Sequence, residues 1–144
     1  MKIYQAGPLF SEAERQWHGR CMKALEAAGH EVVWPGALFA EEELRAWGAD
    51  APRRIMERDR DALLACDVVV ALLDGPQVDD GTAWEIGYAH AVGRPVVGIR
   101  TDFRHGGDTA TGVVNAMIQG SVACIVRSVD EAAMALEALE RRQA

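Results

Sequence analysis

The run Val68-Val69-Val70-Ala71-Leu72-Leu73 constrains this chain more than any other segment. Every position is apolar, so neither face of a strand built from it can meet water. It is also far too short to cross a bilayer. Such a strand belongs at the centre of a parallel sheet that is covered on both sides. Shorter apolar runs surround it in the sequence: Ile3 to Ala6, Glu31 to Trp34, Val96 to Ile99 and Val122 to Val126.

The stretches between these runs have helical signals. Ser11 with Glu14 has the spacing of a capping box, opening a helix that carries Trp17, Cys21, Met22 and Leu25 and ends at Gly29. Pro35-Gly36 closes the second run, and residues 37–51 read as irregular around the acidic turn Glu41-Glu42-Glu43. Pro52 suits the first turn of a helix to about Ala65. A helix follows the polar loop Asp74 to Gly81, a short one is expected at Val113 to Ile118, and a last one at Val129 to Arg142. Strand-helix alternation with right-handed crossovers predicts an α/β fold, a doubly wound parallel sheet of about five strands with helices on both faces. Ligands of such sheets sit beyond the strand C-termini, which singles out the loops Gly7 to Phe10, Pro35 to Phe39, Asp74 to Gly81 and Arg100 to Gly112.

Composition narrows the function classes. A chain of 144 residues with 49% hydrophobic and 26% charged residues reads as one globular domain. Fifteen Lys and Arg against 22 Asp and Glu give a net charge of −7 with no basic stripe, which argues against nucleic acid and anionic membrane as partners. Cys21, Cys66 and Cys124 are scattered and read as reduced thiols, and no apolar leader precedes Gly7-Pro8, so a cytoplasmic location is expected. His18, His30, His90 and His105 lack metal-ligand spacing, and no P-loop, GxGxxG or GxSxG motif occurs. No metal and no cofactor are expected.

Two carboxylate placements look wrong for a purely structural role. On the helix from Pro52, Ile55, Met56, Ala62, Leu63 and Cys66 share a face with Asp59 in its middle. That carboxylate is either paired, with Arg58 or Arg54, or aimed into a pocket, because burying it alone is costly. The second is Asp79-Asp80-Gly81-Thr82-Ala83-Trp84-Glu85. Thr82 and Glu85 have capping-box spacing, and Asp79 or Asp80 would suit the helix dipole. Clustered carboxylates are equally the equipment for cleaving glycosidic bonds, one attacking the anomeric carbon while another group manages the leaving-group proton. A glutamate near helix N–H groups is expected to stay ionised at neutral pH, as a nucleophile must.

Four segments in order carry a resemblance to the nucleoside 2-deoxyribosyltransferase family: Tyr4-Gln5-Ala6-Gly7-Pro8-Leu9-Phe10, Asp59 ahead of Asp67, Asp79 through Ala89, and Asn115-Ala116-Met117-Ile118. The resemblance implies a flavodoxin-like fold and a 2-deoxyribosyl group exchanged between the nucleobases of 2′-deoxynucleosides. It makes Glu85 the nucleophile at C1′, with Tyr4 holding it in place. Asp59 becomes the carboxyl at the base and its proton. Asp79 becomes the group at the sugar 5′-hydroxyl region or assisting at the base. Gly7 to Phe10 would line the base pocket. Asn115 and Met117 would reach the sugar site of a neighbouring subunit, implying a homodimer or larger assembly with shared sites.

The alternatives are an N-glycoside hydrolase of nucleoside 5′-monophosphates and a non-catalytic nucleotide sensor. Related hydrolases favour serines and an arginine in the first loop and a serine where Asn115 stands; here that loop offers only Ser11, which favours unphosphorylated nucleosides. The tail Glu140 to Ala144 lacks the aromatic end that some transferases use, and the polar segment Gly98 to Arg104 is a candidate for substrate contact.

Overall fold

A computed structural model describes residues 1–143; Ala144, the end of the tail discussed above, lies outside the described residues. The five strands are β1 (Lys2–Ala6), β2 (Glu31–Val33), β3 (Val68–Leu72), β4 (Val96–Ile99) and β5 (Cys124–Val126). They form one sheet in the order β2-β1-β3-β4-β5, and every neighbouring pair is parallel. This is the flavodoxin-like order, with the reversal of winding at β1 and β3. The all-apolar run is the central strand, as its composition requires.

Alternate residues of the strands feed two cores. Tyr4, Ala6, Val69, Ala71 and Leu73 pack with Leu63, Ile86 and Ala89 from α3 (Ala51–Leu64) and α4 (Asp80–Ala91). Ile3, Val68, Val70, Val97 and Ile99 pack on the other face with Cys21 and Leu25 of α1 (Glu12–Ala27), and with Ala132 and Leu136 of α6 (Val129–Gln143). The Ser11–Glu14 capping box forms in both directions. None of the described helices is long and apolar enough to cross a membrane.

Several boundaries differ from the sequence reading. The stretch read as irregular holds α2 (Glu41–Trp47) between two short 3-10 turns. With no buried residue in α2 there is no apolar stripe to announce it, and its three leading glutamates favour a helix start through the dipole. The short helix expected from Val113 is α5 (Ala116–Ser121), because the Asn115 side chain accepts from the Met117 N–H and sets the cap there. The last strand begins at Cys124 rather than Val122.

Candidate active site

Beyond the C-terminal ends of β1 and β3 lies a cavity of about 470 Å³. The first loop contributes Gly7, Leu9 and Phe10, and the turn after β2 contributes Pro35 and Gly36. Phe39 and Leu44 come from the segment around α2, Ile55 and Asp59 from α3, and Asp79, Gly81, Thr82 and Glu85 from the start of α4. Three carboxylates therefore converge in a largely apolar chamber that holds no Lys, Arg or His side chain among its lining residues.

Glu85 is one turn into α4, and its Oε1 accepts a 2.5 Å hydrogen bond from the hydroxyl of Tyr4, a fully buried residue of β1. Burial pushes the Glu85 carboxyl up to about 7; the Tyr4 hydroxyl opposes that shift, and the negative charges of Asp59 and Asp79 add to it. The sequence expectation that helix N–H groups keep Glu85 firmly ionised is thus corrected. The residue sits past the free N–H groups of the helix start, in a desolvated place beside two like charges. The Tyr4 hydroxyl is in turn held well above its ordinary value by burial and then by Glu85.

The cap of α4 also differs from the Thr82–Glu85 box. Asp79 is the N-cap, its Oδ2 accepting from both the Thr82 N–H and the Thr82 hydroxyl at 2.9 Å. Asp59 is not paired with its neighbours. Its Oδ1 is buried without a hydrogen-bond partner, and burial raises the carboxyl to about 6 against the opposing charge of Arg58. Arg58 instead turns outward and grips the Glu43 carboxylate at 2.6 and 2.9 Å, and donates to the Leu38 carbonyl at 3.0 Å. Its guanidinium also lies over the rings of Phe39 and Trp47. These contacts hang α2, with the cavity walls Phe39 and Leu44, from the helix that carries Asp59.

The first loop is braced from beneath. The buried His18 donates through Nε2 to the Pro8 carbonyl at 3.0 Å, while its Nδ1 accepts from the Gln5 amide at 2.7 Å. Burial lowers the His18 pKa, which suits this neutral tautomer. Gly7 has φ +154°, and a Cβ there would come within 2.7 Å of the His18 ring, so only glycine lets the strand end pass this close. Phe10 stands 76% exposed at the cavity rim.

Asn115 and Met117 are not brought to this cavity. Asn115 borders a separate depression of about 270 Å³ with Arg100, and Met117 is 78% exposed. The segment Gly98 to Arg104 stays away as well. Arg100 is buried and donates to the carbonyls of Leu73, Gly75 and Arg104, fastening two loops together. Leu44 and the Arg58 clamp were missed in the sequence, and Thr82 was read there only as a cap. The one signal for Leu44 and the clamp is an acidic helix start placed just after Phe39.

The fold and site together define a flavodoxin-like α/β protein with a carboxylate cluster at the winding reversal. A profile of the nucleoside 2-deoxyribosyltransferase family matches residues 3–117. The chain belongs to the nucleoside 2-deoxyribosyltransferase family. An uncharacterized protein of Schizosaccharomyces pombe is 41% identical over 107 residues, which cover 71% of this chain and 51% of that protein. The chain thus spans about half the length of the curated relative it matches. A conserved protein from Enterococcus faecalis V583 superposes with a TM-score of 0.73 at 28% identity, covering 93% of this chain and 95% of its own. A 2-deoxyribosyltransferase from Bacillus psychrosaccharolyticus shares the fold with a TM-score of 0.74 at 22% identity over 92% and 90% of the two chains. So does a CMP N-glycosidase of Clostridium botulinum, with a TM-score of 0.62 at 22% identity over 95% and 99%.

Proposed function

We propose that this chain acts on the N-glycosidic bond of 2′-deoxynucleosides and moves the 2-deoxyribosyl group from one nucleobase to another. The observation that carries this reading is the buried Glu85 carboxyl, held by the Tyr4 hydroxyl at the wall of a cavity that also takes in Asp59 and Asp79. In the first step the Glu85 carboxylate bonds to C1′ as the C1′–N bond breaks. The bond's electron pair leaves with the base, which takes up a proton from Asp59. In the second step an incoming base attacks C1′ and releases Glu85, returning its proton to Asp59. Two displacements retain configuration, and ping-pong kinetics follow. Asp79 is the group for the sugar side, and Asn115 and Met117 of a neighbouring copy complete the site in a homo-oligomer.

A second reading, hydrolysis of a nucleoside 5′-monophosphate, draws support from the shared fold of the CMP N-glycosidase. A phosphate is disfavoured beside three carboxylates, and the cavity lining supplies no basic side chain to offset them, which supports the unphosphorylated substrate. Incubating the purified protein with deoxyadenosine or thymidine plus a second free base, beside a deoxynucleoside monophosphate alone, separates the two. New deoxynucleoside with little free sugar supports transfer. Base release from the monophosphate alone moves the chain to the hydrolases. Glu85→Ala abolishes either reaction, and a variant with near-full turnover would overturn the assignment.

A further inference from the structure

We propose that His18 is a positioning residue for the base wall of the cavity, holding the first loop in place only while its ring is neutral. This role rests on the nucleoside reading above and adds a second acid-sensitive point, away from the reacting carboxyls. The ring is buried beneath the loop, with 1% of the residue exposed. Its Nε2–H ends on the Pro8 carbonyl, and the residues on either side of Pro8, Gly7 and Leu9, line the cavity. The Trp34 ring stacks on the imidazole at 5.6 Å, and the Pro35-Gly36 turn that follows Trp34 lines the cavity as well. One imidazole thus stands under two segments of the wall.

The hydrogen bonds around the ring admit one protonation state. Pro8 offers only a carbonyl, so Nε2 must carry a hydrogen. The other nitrogen, Nδ1, faces the Gln5 amide nitrogen at 2.7 Å, and that same nitrogen donates to the His18 carbonyl at 3.1 Å. Both amide hydrogens of Gln5 are therefore spent on acceptors, and Nδ1 has to be one of them. A proton on Nδ1 would meet an amide hydrogen head-on. Turning the Gln5 amide over does not resolve this. It would set Oε1 against the His18 carbonyl and leave the amide nitrogen where Oε1 now lies buried without a partner. The imidazolium would also lack a free counter-charge. Glu14, one helical turn away, is the carboxylate that acts on the ring, and it is committed to the Ser11 N–H at 2.7 Å. Arg15, also on α1, donates to the Leu9 and Phe10 carbonyls and brings positive charge only. Gln5 of β1 and Trp34 at the end of β2 bring none. Burial accordingly lowers the His18 pKa below its ordinary value. Acid that does protonate the ring must break the Gln5 contact and shift the imidazole, and the Pro8 carbonyl moves with it.

Nitrogen NMR of the natural protein reads the first half directly. At pH 7.5 the hydrogen is expected on Nε2 with Nδ1 bare. Acidification toward pH 5 should move the Gly7, Leu9 and Phe10 amide signals in step with the ring. In His18→Gln, whose amide can donate to Pro8 but takes no second proton, the same signals should move far less. Base exchange supplies the functional readout. Between pH 7.5 and pH 5.5, KM for the donor nucleoside should rise by at least about threefold more in the natural protein than in His18→Gln. Asp59 and Glu85 titrate in both proteins and cancel in that comparison. His18→Phe, which gives Pro8 no donor, should raise KM about fivefold at pH 7.5 with kcat within about twofold, and His18→Gln should recover most of that loss. A hydrogen on Nδ1 at pH 7.5, loop amides that ignore the ring titration, or equal acid dependence of KM in the natural protein and His18→Gln overturns the proposal, and none of these needs His18→Phe to fold. A natural protein with the expected NMR titration but no base exchange overturns the transfer reading alone.

Discussion

Removing a single oxygen, by Tyr4→Phe, tests whether the hydroxyl tunes the carboxylate or only fills space. Tyr4 is fully buried and its hydroxyl donates directly to Glu85 Oε1. No other donor to Glu85 is present among the described residues, so the lost bond has no replacement. A hydrogen bond to a charged acceptor is worth about 1.5–3 kcal/mol, or roughly one to two pKa units. The bond favours the ionised form, so its loss raises Glu85 from about 7 toward roughly 8 or 9. In the proposed reaction ionised Glu85 is the attacking form. The variant should therefore lose about tenfold or more in kcat/KM at pH 6 to 7, and the deficit should shrink as pH rises and vanish above about pH 9. The assay is base exchange measured across pH for both proteins, beside their melting curves. A uniform loss at every pH would refute the reasoning and reduce Tyr4 to packing.

The same desolvation should be visible in stability. The folded protein holds the Glu85 proton more tightly than the unfolded chain does, so ionising it is a cost that is complete above about pH 7 and absent below about pH 4.5. Glu85→Gln should stabilise the protein by up to about 3 kcal/mol at pH 8 and by nothing at pH 4, read by urea denaturation. Equal stability of the two proteins at pH 8 would contradict the burial argument. Arg58→Ala should loosen α2 over the cavity and raise KM about fivefold with little change in kcat. The ion pair with Glu43 is exposed on both sides and contributes little to global stability, so the effect is local to α2, where the ring contacts of Arg58 add to the hold. Arg58→Lys should recover little of this, since an ammonium cannot grip both carboxylate oxygens; full recovery by Lys would count against the clamp.

Most of the framework was legible because its signals are local and periodic. An all-apolar central strand, a capping box at Ser11 and prolines at helix starts each act within a few residues of themselves. Glu85 and Asp59 stood out because a carboxylate on an apolar helix face contradicts its surroundings. The helix α2 was not legible, since it buries nothing and is held by Arg58, a partner 15 residues from Glu43. The cap of α4 was misread for a different reason. Thr82 and Asp79 both have capping chemistry, and the choice depends on where the loop from β3 delivers the chain. Nor can spacing reveal that Glu85 lies beyond the reach of the helix-start N–H groups, because that depends on which residue takes the cap.

The site's acid–base chemistry explains why its walls are apolar. The proposed transfer through Glu85 needs that residue ionised and Asp59 protonated, yet both are carboxylates with nearly the same intrinsic acidity. Burial is the largest cause that raises both, to about 7 and about 6, so each holds a proton at higher pH than a solvated carboxyl does. In the proposed reaction, contacts made by the substrate set the proton on Asp59. A ring nitrogen accepting from Asp59 favours its protonated form, and positive charge developing at C1′ favours ionised Glu85. The Tyr4 hydrogen bond already pulls in the same direction. A solvated site would leave both carboxyls ionised at neutral pH with no proton to give the leaving base. The apolar chamber keeps a proton available to the two carboxyls, and in the proposed reaction the base edge draws it to Asp59.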